Sequence, residues 1–70
     1  MPSLPSTDDV VRVLLRRGFV FISQKGSHMK FRRIAERTLT VIVPANKKEI
    51  PLGTLGSIAR QARLGRGDFL

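Results

Sequence analysis

Apolar positions along the chain change their period twice, and each change marks an element. After a Pro-containing leader over residues 1–5, Val10, Val11, Leu14 and Leu15 recur at helical spacing, while Arg12, Arg16 and Arg17 lie largely off that stripe. Ser6 followed three residues later by Asp9 is a short-armed capping box, and Asp8 and Asp9 place negative charge at the positive end of the helix dipole. Gly18 supplies a left-handed stop. From Phe19 to Ile22 the residues are all aromatic or β-branched, which favours a strand, and residues 23–27 are polar and predict a turn. A second strand runs from His28 to about Arg33, with Met29 and Phe31 alternating against His28, Lys30 and Arg32.

Ala35, Glu36 and Arg37 make the next turn, and Leu39–Val43 form a third strand closed by Pro44. Residues 44–53 form a Pro-bounded loop, longer than the usual median of about 4–6 residues. A closing helix over Leu52–Arg63 carries Leu55, Ile58, Ala59 and Ala62 on one stripe, with Gly65 just past its end. The order α-β-β-β-α predicts an α+β fold: a two-layer sandwich of a three-stranded antiparallel meander with both helices on one face. Residues 1–70 then form a single domain, with 1–5 and 65–70 expected to be loose. Met29 and Phe31 belong to the core side, which turns His28, Lys30 and Arg32 to the uncovered face.

Charge changes this picture from a fold to a class of partner. The 70 residues carry 13 Lys plus Arg against 5 Asp plus Glu, a formal charge of +8. With 41% hydrophobic residues the chain collapses around a core rather than staying a solvated polyelectrolyte. The basic residues fall into groups at Arg12–Arg17, Lys25–Arg33 and Arg60–Arg66, with Lys47 and Lys48 in the long loop, which predicts salt-sensitive, phosphate-dominated binding of nucleic acid. With no Tyr or Trp and four Phe, little surface exists for stacking on bases. A helix-turn-helix reader is disfavoured because the two helices flank the sheet instead of adjoining.

Cysteine is absent, which removes disulfides, thiolate zinc sites and a cysteine nucleophile together. The acids Asp8, Asp9, Glu36, Glu49 and Asp68 do not cluster at ligand spacing, so no metal is expected. No apolar run approaches the roughly 20 residues of a membrane span, and the acidic, Pro-rich start is unlike a signal peptide, so a cytoplasmic protein is expected, with no membrane association.

His28 is the one histidine. An imidazole can exchange a proton near neutrality, and Lys25, Lys30 and Arg32 are placed to hold a phosphate beside it. Gly26 and Ser27 offer backbone amides and a hydroxyl to an anion, or simply make a hairpin turn. RNA supplies its own nucleophile in the 2′-hydroxyl, so cleavage needs a base, charge stabilisation and alignment rather than a deep pocket. A non-catalytic RNA-binding module accounts for the same charge without any role for His28.

The stretches GFVFISQKGSHMKFRR at 18–33 and VIVPANKKEIPLGTLGSIARQARL at 41–64 resemble the HicA (YcfA-like) toxins of bacterial and archaeal toxin–antitoxin systems. The marks are the helix-end Gly-Phe, Gly-Ser-His at 26–28, the Val-Pro at 43–44, and Gly-Thr-Leu at 53–55 leading to Arg60-Gln61-Ala62. The resemblance implies a double-stranded-RNA-binding-domain-like fold, cofactor-free ribonuclease activity against mRNA that arrests translation, a catalytic histidine at His28, and neutralisation by a HicB antitoxin. Many relatives carry a second histidine two residues after the Val-Pro proline; Asn46 stands there in this chain. Apolar residues on both faces of strands one and three fit a face covered by such a partner or by a second copy, or merely left greasy.

Overall fold

The computed structural model describes residues 3–70. Helix α1 (Thr7–Arg16) leads into strands β1 (Val20–Lys25), β2 (His28–Ile34) and β3 (Thr38–Pro44), then helix α2 (Leu52–Ala62) and a short 3-10 turn at Arg66–Asp68. The sheet is antiparallel in the order β1-β2-β3, the meander expected from the sequence. Val10 and Leu14 of α1 and Leu55, Ile58, Ala59 and Ala62 of α2 pack with Phe31, Val41 and Val43, so both helices share one face of the sheet. Each of the Val, Leu, Ile and Phe side chains among them, taken fully out of water, contributes about 1.5–3 kcal/mol before the entropy of ordering it.

Helix α1 starts on a reciprocal cap. The Ser6 N–H donates to Asp9 Oδ2 at 3.0 Å, and the Asp9 N–H donates to Ser6 Oγ at 3.1 Å. The bond from the Ser6 amide, aided by the Ser6 hydroxyl, holds the Asp9 carboxyl below its ordinary pKa. Its contribution to stability is therefore present above the usual carboxylate range and is lost as pH falls through the lowered value. Of the four apolar residues on the expected stripe, Val10 and Leu14 are buried, whereas Leu15 is 52% exposed.

Several boundaries differ from the sequence-based expectation, each for a local reason. Strand β1 runs on to Lys25, and the turn shrinks to Gly26 and Ser27 between the paired Lys25 and His28. Gly26 has φ +59° and nothing within 4 Å of a Cβ built on it, so glycine is needed there for the backbone of a two-residue hairpin and not for a close approach. Helix α2 stops one residue early, on Arg63 in the left-handed conformation, not on a glycine.

The two ends are better fixed than expected. Pro5 is buried, and its carbonyl accepts the Ile50 N–H at 2.8 Å, although residues 1 and 2 lie outside the described part. The expectation of a loose tail over residues 65–70 is corrected. Phe69 is 5% exposed within the core, Arg17 pairs with Asp68 at 2.9 Å, and the Gly65 N–H donates to Asp68 Oδ2 at 2.8 Å. A single aromatic anchor outside any periodic run is invisible to a pattern-based reading.

The loop from Pro44 to Pro51 is held by Thr7, which is 5% exposed. Its hydroxyl donates to the Pro44 carbonyl at 2.7 Å and accepts the Lys47 N–H at 2.9 Å, while its own N–H donates to the Lys47 carbonyl at 2.9 Å. Replacing the hydroxyl by a methyl leaves a part-buried donor and acceptor without their partner, so Thr7→Val is expected to cost about 1–3 kcal/mol. Urea denaturation checks this; an unchanged midpoint contradicts the clamp.

The sheet edges are unequal. On β3 the Ile42 N–H is taken by Gln61 Oε1 at 2.9 Å, so α2 covers part of that edge. On β1 every residue is exposed, including Phe21, whose ring meets Phe31 edge-on at a centroid distance of 5.7 Å. A register shift between Phe21 and Ser23 interrupts this open edge, a device that discourages unwanted strand pairing.

Candidate active site

That irregularity also decides which side chains meet on the open face. Phe21 pairs with Phe31, which faces the helices, so strict alternation would send Ser23 and Lys25 to the helix side as well. The extra residue, Ile22, reverses the parity: Ser23 pairs with Lys30, and Lys25 pairs with His28, both members of the open face. The face therefore gathers Ser23, Lys25, His28, Lys30 and, from β3, Ile42 around one shallow cleft of about 460 Å³.

His28 opens β2, flanked in register by Lys25 on one side and Pro44 on the other. Its side chain is exposed, as is that of Lys25, while Lys30 is half-buried. The two ion pairs found among the described residues, Arg12–Asp9 and Arg17–Asp68, involve neither lysine. The cleft thus offers unneutralised ammonium groups beside an accessible imidazole, an arrangement that favours an anionic ligand.

The turn is fastened to the end of β3. The Ala45 N–H donates to the Ser27 carbonyl at 2.7 Å, and Gln24 Nε2 donates to the Gly26 carbonyl at 3.0 Å. These bonds place Gly26, Ser27 and the start of the 44–50 loop at the same end of the sheet as His28. Exposed Lys47 and Lys48 follow in that loop, with the Lys47 backbone held by Thr7. Asn46, which is exposed, adopts φ +58°, a left-handed conformation that Asn tolerates better than most residues.

Arg32 does not join His28. It lines a neighbouring cleft of about 330 Å³ with Gly18, Val20, Ile22 and Ile34, so the open face divides into a polar half and an aliphatic half. Two contributors escaped the sequence reading. The sequence puts Ser23 in a turn, because no residue pattern marks the irregularity at Ile22, and Thr7 acts through a tertiary bond with residues some 40 positions away.

Among the described residues, no three His, Cys, Asp or Glu gather as a metal-ligand group, and no helix is long and apolar enough to cross a membrane. No curated protein matches the chain. The family model described as the HicA toxin of bacterial toxin–antitoxin systems matches residues 7–64, from the first residue of α1 to just past the end of α2. That match spans both helices, the whole sheet and the His28 cleft, and on it the chain belongs to the HicA toxin family.

Proposed function

We propose that the chain is an mRNA endoribonuclease, the toxin of a type II toxin–antitoxin pair, which works in the cytoplasm and is neutralised by a HicB-like antitoxin. The observation that carries this reading is the exposed His28 imidazole in one cleft with Lys25 and Lys30, neither of which has a carboxylate partner. Family membership supports the toxin role.

In the reaction, an imidazole nitrogen of His28 takes the proton of an RNA 2′-hydroxyl, and that oxygen attacks the adjacent phosphorus. The bond to the 5′-oxygen breaks, the leaving oxygen takes a proton from water, and a 2′,3′-cyclic phosphate remains. Lys25 and Lys30 neutralise the charge that accumulates on the phosphoryl oxygens in the transition state. Gly26 and Ser27 form the turn that joins Lys25 to His28, and Lys47 and Lys48 extend the positive surface towards flanking phosphates. No cofactor takes part: the nucleophile comes from the substrate and the base from the protein.

The test is incubation of the purified chain with single-stranded RNA in EDTA. Cleavage leaving cyclic-phosphate ends is expected. Binding without turnover instead establishes the alternative, a non-catalytic RNA-binding module, which the same charge would support.

A further inference from the structure

The aliphatic half of the open face is built differently from the cleft beside it. Val20, Ile22 and Ile34 are 56%, 42% and 79% exposed, an apolar cluster on a chain of net charge +8. Arg32 is embedded among them, and among the described residues its buried Nε has no hydrogen-bond partner and no ion pair satisfies it. A half-buried cation without an ion pair, ringed by aliphatic side chains, is complementary to a carboxylate carried next to apolar residues.

We propose that this half of the face seats the protein antitoxin, which places a carboxylate on Arg32 and aliphatic side chains against Val20, Ile22 and Ile34. The proposal rests on reading the chain as the toxin of such a pair. A second copy of the chain fits poorly, because self-packing about a twofold axis brings Arg32 towards its own equivalent and joins two surfaces of the same sign. RNA fits poorly too, since a phosphate could meet Arg32 but bases find aliphatic chains where stacking calls for aromatic ones.

The position explains neutralisation. Side chains two apart on one strand face the same way about 7 Å apart, so Arg32 lies roughly 13 Å along β2 from His28, with Lys30 between them. An interface of ordinary size covers about 800 Å² on each partner and therefore spans both halves. The antitoxin gains its hold on the aliphatic half and denies RNA the polar half. The two functions are then separable by substitution.

The test titrates the chain by calorimetry with the antitoxin of the neighbouring reading frame, using Arg32→Gln and the double variant Val20→Thr/Ile34→Thr. Threonine keeps the β-branching these exposed strand positions favour, and thermal melts confirm that the variants are folded. Both are expected to bind the antitoxin at least about tenfold more weakly, while the Val20→Thr/Ile34→Thr chain cleaves RNA within about twofold of the native rate and resists neutralisation. Antitoxin binding within about twofold of native for both variants overturns the proposal, as does a parallel loss of RNA cleavage, which would give this surface to RNA. Failure of the native chain to bind also overturns it, while RNA cleavage measured on the chain alone separately decides the ribonuclease reading.

Discussion

Replacing His28 with alanine is expected to lower the rate of RNA cleavage by about 10²–10⁴-fold, the usual contribution of a positioned general base. The substitution should leave the fold intact, since His28 is exposed at the first position of β2 and its side chain makes no hydrogen bond among the described residues. RNA affinity should change little, because the proposed binding is spread over Lys25, Lys30, Lys47, Lys48 and the backbone of the turn, and not concentrated on the ring. Single-turnover cleavage at saturating RNA, paired with an equilibrium titration, separates the two effects. Equal cleavage by native and variant chains removes the imidazole from the mechanism. Loss of binding in proportion to loss of cleavage makes His28 a contact and not a base.

The largest effect on stability is expected at Phe31. Its ring is 1% exposed, lies in the central strand between paired Phe21 and Val41, and packs into the same cluster as Leu14, Leu55 and Ile58. Truncation to alanine removes the transfer free energy of the ring and leaves a cavity that the surrounding strands and helices cannot fully close, a cost of about 3–5 kcal/mol. Folded domains hold only about 0.05–0.15 kcal/mol per residue of net stability. In a chain of 70 residues that total is about 3.5–10.5 kcal/mol, so the one substitution removes from about three-tenths of it to all of it. Urea unfolding should show a sharply lower midpoint with little change in slope. A cost below about 1 kcal/mol would mean that the ring is not part of a close-packed interior.

What could be read in advance, and what could not, follows from the range of the forces involved. The capping box at Ser6 and Asp9, the helix stripes and the alternation of Met29 and Phe31 against His28, Lys30 and Arg32 are local, and the structure reproduces them. The side assigned to His28 came from that alternation alone. By contrast, the irregularity at Ile22 has no local signature, because Val20, Phe21 and Ile22 suit a strand equally well in either register. It nevertheless turns Ser23 and Lys25 to His28's side. The division of the open face was equally hidden: Lys30 and Arg32 share a strand face, yet Arg32 is surrounded by Gly18, Val20, Ile22 and Ile34 while Lys30 stands with His28. Thr7 reads as an ordinary first helical residue until the loop at Pro44 and Lys47 is folded against it, and Phe69 reads as a frayed end until it reaches the core. Long-range contacts of this kind depend on how the layers close, which periodicity does not report.

The central claim is that the RNA attacks itself, with the protein supplying a base and a cationic cleft around it. The most direct measurement is cleavage of an RNA carrying a single 2′-deoxynucleotide immediately 5′ to a mapped cut, compared with the all-ribose strand at saturating protein. The account predicts that cutting at that linkage stops while binding of the strand is retained. Cutting there at the all-ribose rate would contradict it, because a nucleophile other than the neighbouring hydroxyl would then be at work.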